Sequence, residues 1–269
     1  METIMERLTD KKLFLFDMDG TLYIGSRLYD FTIELLEKIK MAGGRYIFMT
    51  NNSSKSVNDY IKKLEKLGIT ATYDDFLTSS QATAFYLKKH YNGKKLYVSG
   101  TQSLKDELMR EGFVLTEDLE QVECIVMGFD TELTFKKLED LSKMLCTKDL
   151  PYIATNPDYV CPTEFGSVPD CGSVSDMLYN VSKKRPLFIG KPSALMPQLA
   201  MEKCGATPEQ TVVIGDRIYT DIKSGLNAGA LTVLVLSGET TRQILDASED
   251  KPHIVMENAG EIIPYLEMK

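Results

Sequence analysis

Short apolar runs recur along the chain and alternate with segments whose apolar residues repeat at helical spacing. The first run, Leu13–Phe16, is unbroken, which is typical of a strand buried on both faces. Phe31, Leu35 and Ile39 then share one face of a predicted helix, and Arg45–Thr50 forms the next apolar run. Such alternation of strands and helices predicts parallel sheets covered by helices.

The later strand-like runs are too numerous for one sheet. They are Lys95–Gly100, Cys124–Asp130, Pro151–Thr155, Leu187–Gly190, Thr211–Asp216 and Leu231–Gly238. We therefore expect an α/β protein with two domains. The predicted core is discontinuous and comprises residues 1–79 and 187–269. Residues 80–186 form the predicted insert, whose length of about a hundred residues is usual for a domain.

Composition and charge narrow the functional classes. The chain has 269 residues, of which 43% are hydrophobic and 26% charged, as expected of a globular protein. A formal charge of −8 argues against a nucleic-acid partner. The five cysteines form no C-x-x-C pair, and no apolar stretch approaches the roughly 18 residues of a membrane span. These features, with no visible secretion signal, predict a cytoplasmic protein without a membrane partner.

Polar residues follow four of the predicted strands directly. They are Asp17 and Asp19, Thr50 and Asn51, Lys191, and Asp216 and Asp221. Each alone is typical of a turn or a helix cap. Ligands of open parallel sheets, however, bind beyond the carboxyl ends of the strands, so the four sets together indicate one ligand site.

The residue types at these strand ends favour phosphate chemistry. Several carboxylates at one edge repel each other unless a cation lies between them, and oxygen ligands suit Mg²⁺. The hydroxyl of Thr50 and the ammonium of Lys191 are groups that hold a tetrahedral dianion. The sequence therefore predicts a Mg²⁺ site beside a phosphate site.

Four segments carry a resemblance to a known family: "DMDGT", "TNNSS", "GKPS" and "GDRIYTD". In this order they resemble the motifs of the haloacid dehalogenase superfamily, in its phosphatase branch, and most closely the NagD-like, p-nitrophenylphosphatase group. The resemblance implies a doubly wound, parallel, Rossmann-like core with a large inserted α/β cap. It also implies Mg²⁺-dependent hydrolysis of phosphate monoesters.

The resemblance implies a role for each matched residue. Asp17 would be the nucleophile that forms an aspartyl-phosphate. Asp19 would protonate the leaving oxygen and then deprotonate the attacking water. Lys191 would neutralise charge on Asp17 and on the phosphate. The residues that would bind the phosphate are Thr50, Asn51, Asn52 and Lys191.

The same resemblance implies the ligands of Mg²⁺. Asp17 and Asp216 would bind the ion through their carboxylates, and Asp19 through its backbone carbonyl. Asp221 would lie behind these ligands or bind the ion through a water molecule.

Substrate choice is expected to come from the inserted domain, because the core motifs bind only groups that all substrates share. The predicted site is the loop Thr155–Ser173, whose prolines and glycines indicate an irregular segment. Candidates in this loop are Asn156, Asp158, Tyr159, Glu164 and Asp170. The family pattern usually has glycine where this chain has Asp170. Cys161 and Cys171 flank a loop within this segment, and a redox pair is the less favoured interpretation.

Three functions stay open from the sequence. The first is a phosphatase of small cytosolic metabolites such as sugar phosphates or nucleotides. Such an enzyme would also hydrolyse the artificial substrate p-nitrophenyl phosphate. The second is a phosphotransferase or phosphomutase that passes the phosphoryl group to a sugar. The third is a signalling module with a phosphorylated Asp17, which Asp19 disfavours because a stable switch has no use for an adjacent acid–base group. Caps of this type also imply a homodimer through the inserted domain.

Overall fold

The computed structural model describes residues 8–163 and 165–266. Its strands are β1 (Leu13–Phe16), β2 (Tyr23–Ile24), β3 (Arg27–Leu28), β4 (Arg45–Thr50), β5 (Phe76–Thr78), β6 (Lys95–Ser99), β7 (Val114–Leu115), β8 (Cys124–Met127), β9 (Tyr152–Ala154), β10 (Val160–Thr163), β11 (Gly166–Pro169), β12 (Leu187–Phe188), β13 (Thr211–Gly215), β14 (Leu231–Val235) and β15 (Ile254–Met256). Its α-helices are α1 (Thr32–Met41), α2 (Val57–Lys66), α3 (Ser79–His90), α4 (Gln102–Arg110), α5 (Phe135–Thr147), α6 (Cys171–Ser182), α7 (Leu195–Cys204), α8 (Lys223–Asn227), α9 (Arg242–Ala247) and α10 (Ile263–Leu266). A π-helical turn covers Ile218–Ile222, and 3₁₀ turns cover Tyr73–Asp75, Pro208–Gln210 and Ala259–Ile262.

Contacts divide the described chain into two units. The first unit contains residues 8–50, 58–77 and 191–266, and the second contains residues 51–57 and 78–190. The expected boundaries at 79/80 and 186/187 lie within a few residues of two of these borders. Residues 51–57, which we placed in the core, group with the second unit instead.

The first unit is built on a six-stranded sheet with the order β15-β14-β13-β1-β4-β5. The pairs β1–β4, β1–β13, β13–β14 and β14–β15 are parallel. All four residues of β1 and all five of β13 are buried, as the unbroken apolar runs predict for central strands. The structure thus confirms the predicted α/β class and parallel sheet.

Helix α1 shows how the hydrophobic pattern fixes the packing of this unit. Leu35, Leu36 and Ile39 are buried, while Glu34 and Glu37 on the other face are exposed. Burial of each such aliphatic side chain stabilises the fold by about 1.5–3 kcal/mol. In α2, Val57 and Leu64 are likewise buried.

The second unit has its own sheet, with the order β12-β9-β8-β6-β7. The pairs β6–β8, β8–β9 and β9–β12 are parallel. Its core lies between this sheet and helices α5 and α6, where Ile125, Leu141, Met144 and Leu178 form one buried cluster. The insert is therefore an α/β unit with a hydrophobic core of its own.

The assignment of the strand at Leu187 to the core sheet was wrong. Leu187 pairs with Ile153 and Phe188 with Ala154, so β12 belongs to the sheet of the second unit. Phe188 packs against the hydrophobic cluster of that unit, which explains the pairing. Only three of the four strands that we expected at one sheet edge therefore share a sheet.

The prediction that Thr155–Ser173 is irregular was also wrong in part. Its middle forms an antiparallel hairpin in which Val160 pairs with Pro169 and Thr163 with Gly166. The hairpin is mostly exposed. Both of its strands are edge strands, and an edge strand can contain proline although proline has no N–H to donate. Glu164, one of the candidate residues, lies outside the described residues.

Of the helices that the structure describes, none is long and apolar enough to cross a membrane. The longest, α5, has 13 residues, whereas a span needs about 20.

Candidate active site

Two neighbouring strands place the central pair of carboxylates. β1 and β13 run parallel, with Phe16 opposite Ile214, and the backbone N–H of Asp17 donates to the carbonyl of Ile214 at 2.9 Å. Asp17 and Asp216 are the residues that follow these two strands. Because the strands run in the same direction, both carboxylates emerge at one edge of the sheet.

Lys191 joins two of the predicted site residues. Its Nζ lies 2.6 Å from Asp17 Oδ1 and 2.6 Å from Asp221 Oδ1, and it donates to the carbonyl of Met49 at 3.4 Å. The Lys191 side chain is only 3% exposed. Lys191 does not follow a strand of this sheet. Its ammonium nevertheless lies beside Asp17, the residue that follows β1.

The π-helical turn after β13 holds Asp221. Asp221 Oδ2 accepts the backbone N–H of Arg217 at 3.1 Å, and its Oδ1 accepts from Lys191. The Asp221 side chain is 1% exposed. Gly215 lies against this carboxylate, since a Cβ at that position would overlap it. Asp221 is therefore fixed from three sides.

The site holds more negative than positive charge. Burial alone would lower the pKa of Lys191, but the charges of Asp17 and Asp221 outweigh it and raise that pKa. Burial, with the charges of Asp17 and Asp221, raises the pKa of Asp216 to about 7. Burial also raises the pKa of Asp221 to about 6, against the opposing effect of Lys191. The ammonium of Lys191 is thus shared by two of the three clustered carboxylates, Asp17 and Asp221.

The same carboxylates can hold a metal ion. Oxygens of Asp17, Asp216 and Asp221 lie within 4.8 Å of one another. Asp216 Oδ2 accepts the backbone N–H of Glu239 at 2.7 Å, but Asp216 Oδ1 is buried without a hydrogen-bond partner. Among the described residues this oxygen has no partner, which is costly for a buried carboxylate, and a hard cation is the partner that oxygen ligands suit. The residues present therefore fit a divalent cation.

Asp19 lies differently from these three residues. Its side chain is 59% exposed, with Oδ2 4.0 Å from Lys63 Nζ and Oδ1 3.5 Å from the backbone N–H of Gly25. An exposed ion pair at this distance contributes little to stability. The Asp19 carboxylate is therefore accessible to solvent, and the carboxylate cluster does not include it.

The predicted phosphate-binding residues lie on both sides of a unit border. Thr50 ends β4 in the first unit and is half-buried, whereas Asn51 and Asn52 belong to the second unit. The carbonyl of Asn51 accepts from the hydroxyl of Ser79 at 2.5 Å. Asn52 Oδ1 accepts from the backbone N–H and the hydroxyl of Ser54, at 2.9 and 2.8 Å.

Three of the five candidates for substrate selection meet inside the second unit. Asn156 Nδ2 donates to Asp158 Oδ2 at 3.1 Å and to Asp170 Oδ1 at 3.0 Å. Asn156 is fully buried and Asp170 is 4% exposed. Burial raises the pKa of Asp170 to about 6, although the bonds from Asn156 and the Cys171 N–H oppose this shift. Tyr159 is 59% exposed and lies at the start of the hairpin.

The two cysteines of this segment form no disulfide bond within the part of the chain that the structure describes. Cys171 is fully buried at the start of α6, and burial raises the pKa of its thiol. Because the thiolate is the reactive form, this environment favours a packing role for Cys171.

The sequence analysis missed the loop after β14. Glu239 supplies the N–H that binds Asp216, and its carboxylate pairs with Arg217, Oε2 to Nε, at 2.8 Å. Gly238 lies so close that a Cβ there would overlap the Asp216 carboxylate. The signal was present, because "SGE" follows an apolar strand just as the other motifs do.

Replacement of Lys191 tests its part in the balance of charge. We expect Lys191→Met to lower the free energy of unfolding at pH 8 by about 3–5 kcal/mol, since it leaves the buried Asp221 unpaired. Loss of the ammonium raises the folded-state pKa of Asp221 further above its unfolded value. The deficit should therefore be full at pH 8 and shrink as the pH falls towards 5. Urea unfolding at several pH values measures this.

The matched control for that variant is Lys223→Met. Lys223 pairs with Asp250 at 3.1 Å, but its side chain is 44% exposed. Its loss should cost at most about 1 kcal/mol at any of these pH values. Equal costs for both variants, or a deficit in Lys191→Met that does not depend on pH, would contradict the assigned role.

Replacement of Gly238 tests the cation site without any assay of activity. A methyl group in Gly238→Ala displaces the Asp216 carboxylate, so we expect the affinity for Mg²⁺ or Ca²⁺ to fall about 10–100-fold. Calorimetric titration of the protein with each cation measures this. Gly260→Ala is the control, since its Cβ would lie 2.7 Å from Phe31 Cβ in the same unit. It should cost stability and leave cation affinity unchanged, and an equal loss of affinity in both variants would refute the prediction.

Comparison with protein-family models gives two matches. Residues 14–114 match the model described as haloacid dehalogenase-like hydrolase, and residues 188–262 match one described as HAD-hydrolase-like. Together these segments cover more than half of the chain. They contain Asp17, Thr50, Lys191, Asp216 and Asp221.

Individual proteins match over nearly the whole chain. The 5′-nucleotidase YutF of Bacillus subtilis is 32% identical over 95% of this chain and 98% of its own. A 4-nitrophenylphosphatase of Thermotoga maritima superposes with a TM-score of 0.91 at 38% identity, covering 96% and 98% of the two chains. NagD of Escherichia coli K-12 superposes with a TM-score of 0.86 at 29% identity, covering 94% and 98%. The chain therefore belongs to the haloacid dehalogenase-like hydrolases, and within them to the NagD-like phosphatases.

Proposed function

We propose that the protein is a Mg²⁺-dependent phosphatase that hydrolyses monoesters of small metabolites through an aspartyl-phosphate on Asp17. The observation that carries the proposal is the contact between Lys191 Nζ and Asp17 Oδ1 at 2.6 Å, beside the unpartnered Asp216 Oδ1. A cationic partner fixes the attacking carboxylate, and the neighbouring oxygen offers a place for a second cation.

A count of charges supports this assignment. Asp17, Asp216 and Asp221 bring three negative charges and a phosphate dianion brings two, if Asp19 is protonated. Lys191 and Mg²⁺ bring three positive charges. When bound between Asp17 and Asp216, Mg²⁺ would supply the neutralisation that lets an anion attack an anionic phosphoryl group. Asp19 would add its backbone carbonyl to the ligands, and Asp221 would keep Lys191 and the turn in place.

The residues of this chain would carry out two displacements. In the first, a carboxylate oxygen of Asp17 attacks phosphorus, and the bond to the ester oxygen breaks as Asp19 donates its proton to that oxygen. In the second, Asp19 takes a proton from a water molecule, whose oxygen attacks phosphorus and displaces Asp17. Thr50, Asn51, Asn52 and Lys191 would bind the phosphoryl oxygens. The enzyme returns to its starting state with inorganic phosphate released.

Solvent access to Asp19 favours hydrolysis over transfer of the phosphoryl group to a sugar. A side chain that is 59% exposed can meet water, which is the acceptor that hydrolysis needs. The substrate class that we propose is a small phosphorylated metabolite, such as a nucleoside monophosphate or a sugar phosphate. We assign the choice among them to the second unit, with Asn156, Asp158, Tyr159 and Asp170 as candidates. A homodimer through that unit stays a prediction.

The nucleophile is tested by Asp17→Asn. We expect kcat for p-nitrophenyl phosphate to fall by about 10⁴-fold or more, as for other covalent nucleophiles. The variant should unfold at the same or a higher temperature, because one of three clustered carboxylates loses its charge. Asp246→Asn, an exposed carboxyl of the same unit, is the control and should keep full activity. Turnover near that of the wild type in Asp17→Asn would exclude a covalent mechanism on this residue.

The acid–base role is tested by Asp19→Asn with two leaving groups. p-Nitrophenolate leaves without a proton, whereas an alkoxide needs one, so kcat/KM should fall by at least about tenfold more for an alkyl phosphate than for p-nitrophenyl phosphate. Mg²⁺ affinity should stay close to that of the wild type, since the proposed ligand is the backbone carbonyl. Equal losses for both substrates would instead indicate a purely structural role for Asp19.

A further inference from the structure

Ser53 anchors the segment that carries Asn51 and Asn52. Residues 51–53 have no regular secondary structure, so no helix or sheet ladder fixes their position. Ser53 is fully buried, and its Oγ accepts the backbone N–H of Phe129 at 2.8 Å. The same Oγ lies 2.9 Å from Thr155 Oγ1, a residue 102 positions along the chain.

The hydrogen bonds continue from Thr155 in one direction. Thr155 Oγ1 lies 2.7 Å from Asn156 Oδ1, which can only accept, so the single hydroxyl proton of Thr155 goes to Asn156. Thr155 therefore accepts from the hydroxyl of Ser53. Each hydroxyl then donates once and accepts once. Thr155 is fully buried, so water does not replace either bond.

Asn156 donates hydrogen bonds to two carboxylates. With Oδ1 bonded to Thr155, its two amide protons go to Asp158 at 3.1 Å and to Asp170 at 3.0 Å. Asp170 also accepts the backbone N–H of Cys171, where α6 begins. A continuous buried chain of bonds thus runs from Ser53 through Thr155 and Asn156 to Asp170, and we call it the Ser53–Asp170 chain.

We propose that the Ser53–Asp170 chain positions residues 51–53 for phosphate binding, and that Asp170 acts through Asn156 instead of touching the substrate. The inference rests on the proposed function, since it takes Asn51 and Asn52 as phosphate ligands. Fully satisfied buried networks fix geometry because each broken bond leaves a desolvated polar atom. A segment without secondary structure depends on such bonds more than a strand does.

The position of Asp170 supports the positioning role. At 4% exposure, with Oδ1 engaged by Asn156 and by the first N–H of α6, the carboxylate is directed into the unit. Asp158 shares the same amide group and is half-buried. The glycine that the family pattern usually has at this position could not accept from Asn156. The last bond of the chain is therefore specific to the aspartate.

The test uses a pair of variants of Thr155, which lies in the middle of the Ser53–Asp170 chain. Thr155→Val keeps the shape of the side chain but removes the hydroxyl, and Thr155→Ser keeps the hydroxyl but removes a methyl group. Thr155→Val should raise KM for p-nitrophenyl phosphate and the inhibition constant of inorganic phosphate by about tenfold each, with kcat within about twofold. Thr155→Ser should stay close to the wild type in all three quantities. Mg²⁺ affinity should not change in either variant, because the carboxylate cluster contains no member of the chain.

Thr83→Val is the matched control. Thr83 is fully buried in the same unit, but its hydroxyl has no hydrogen-bond partner among the residues that the structure describes. Its loss removes a buried hydroxyl without breaking a network, so KM and the inhibition constant should not change. Ser53→Ala is the second route if Thr155→Val does not fold, and it should reproduce the same rise in both constants.

The outcomes separate this inference from the proposed function. Unchanged constants in Thr155→Val, or equal changes in Thr155→Ser, would overturn the inference while leaving the phosphatase assignment intact. Calorimetric titration with inorganic phosphate supplies a measurement that needs no turnover. A wild type that binds phosphate but does not hydrolyse p-nitrophenyl phosphate would overturn the proposed function. The inference would then stand or fall on whether Thr155→Val weakens phosphate binding.

Discussion

The shared ammonium of Lys191 is the interaction on which the site of the first unit depends. Asp17 and Asp221 both lie 2.6 Å from it, and each would otherwise face another carboxylate across a short distance. Lys191 is 3% exposed, so neither water nor salt screens these contacts effectively. Lys191 fixes the orientation of Asp17 and, together with the Arg217 N–H, that of Asp221 in the π-helical turn.

The remaining imbalance of charge has a functional meaning. One ammonium does not neutralise three carboxylates. Burial, and after it the charge of the neighbouring carboxylates, raises the pKa of Asp216 and of Asp221. A protein selected only for stability would replace such a group by apolar residues. The presence of this buried charged group indicates a site whose charge is balanced only when its ligands bind. This is expected of an enzyme that handles an anion together with a cation.

Long apolar runs made much of the fold predictable. β1, β4 and β13 were visible because central parallel strands are buried on both faces, and the polar residues at their ends were visible as interruptions of that pattern. β12 was misassigned because a run of two paired residues fits either sheet, and only its partner Ile153 decides between them. The hairpin of β10 and β11 was not predicted, because its two prolines and its glycine are typical of irregular segments. The bond from Ser53 to Thr155 joins residues 102 positions apart, and no local pattern reports a contact of that kind.

The grouping of residues 51–57 with the second unit bears on how such proteins diversify. An exchange of residues 78–190 alone between two relatives would separate Ser53 from Phe129 and Thr155, its partners in this chain. The incoming residues 78–190 would have to supply equivalent hydrogen-bond partners for a Ser53 that comes from the other relative. Recombination that moves both segments together avoids this mismatch. In this chain the unit that would have to move as a whole is therefore not one contiguous insert but residues 78–190 together with the seven residues 51–57 upstream of them.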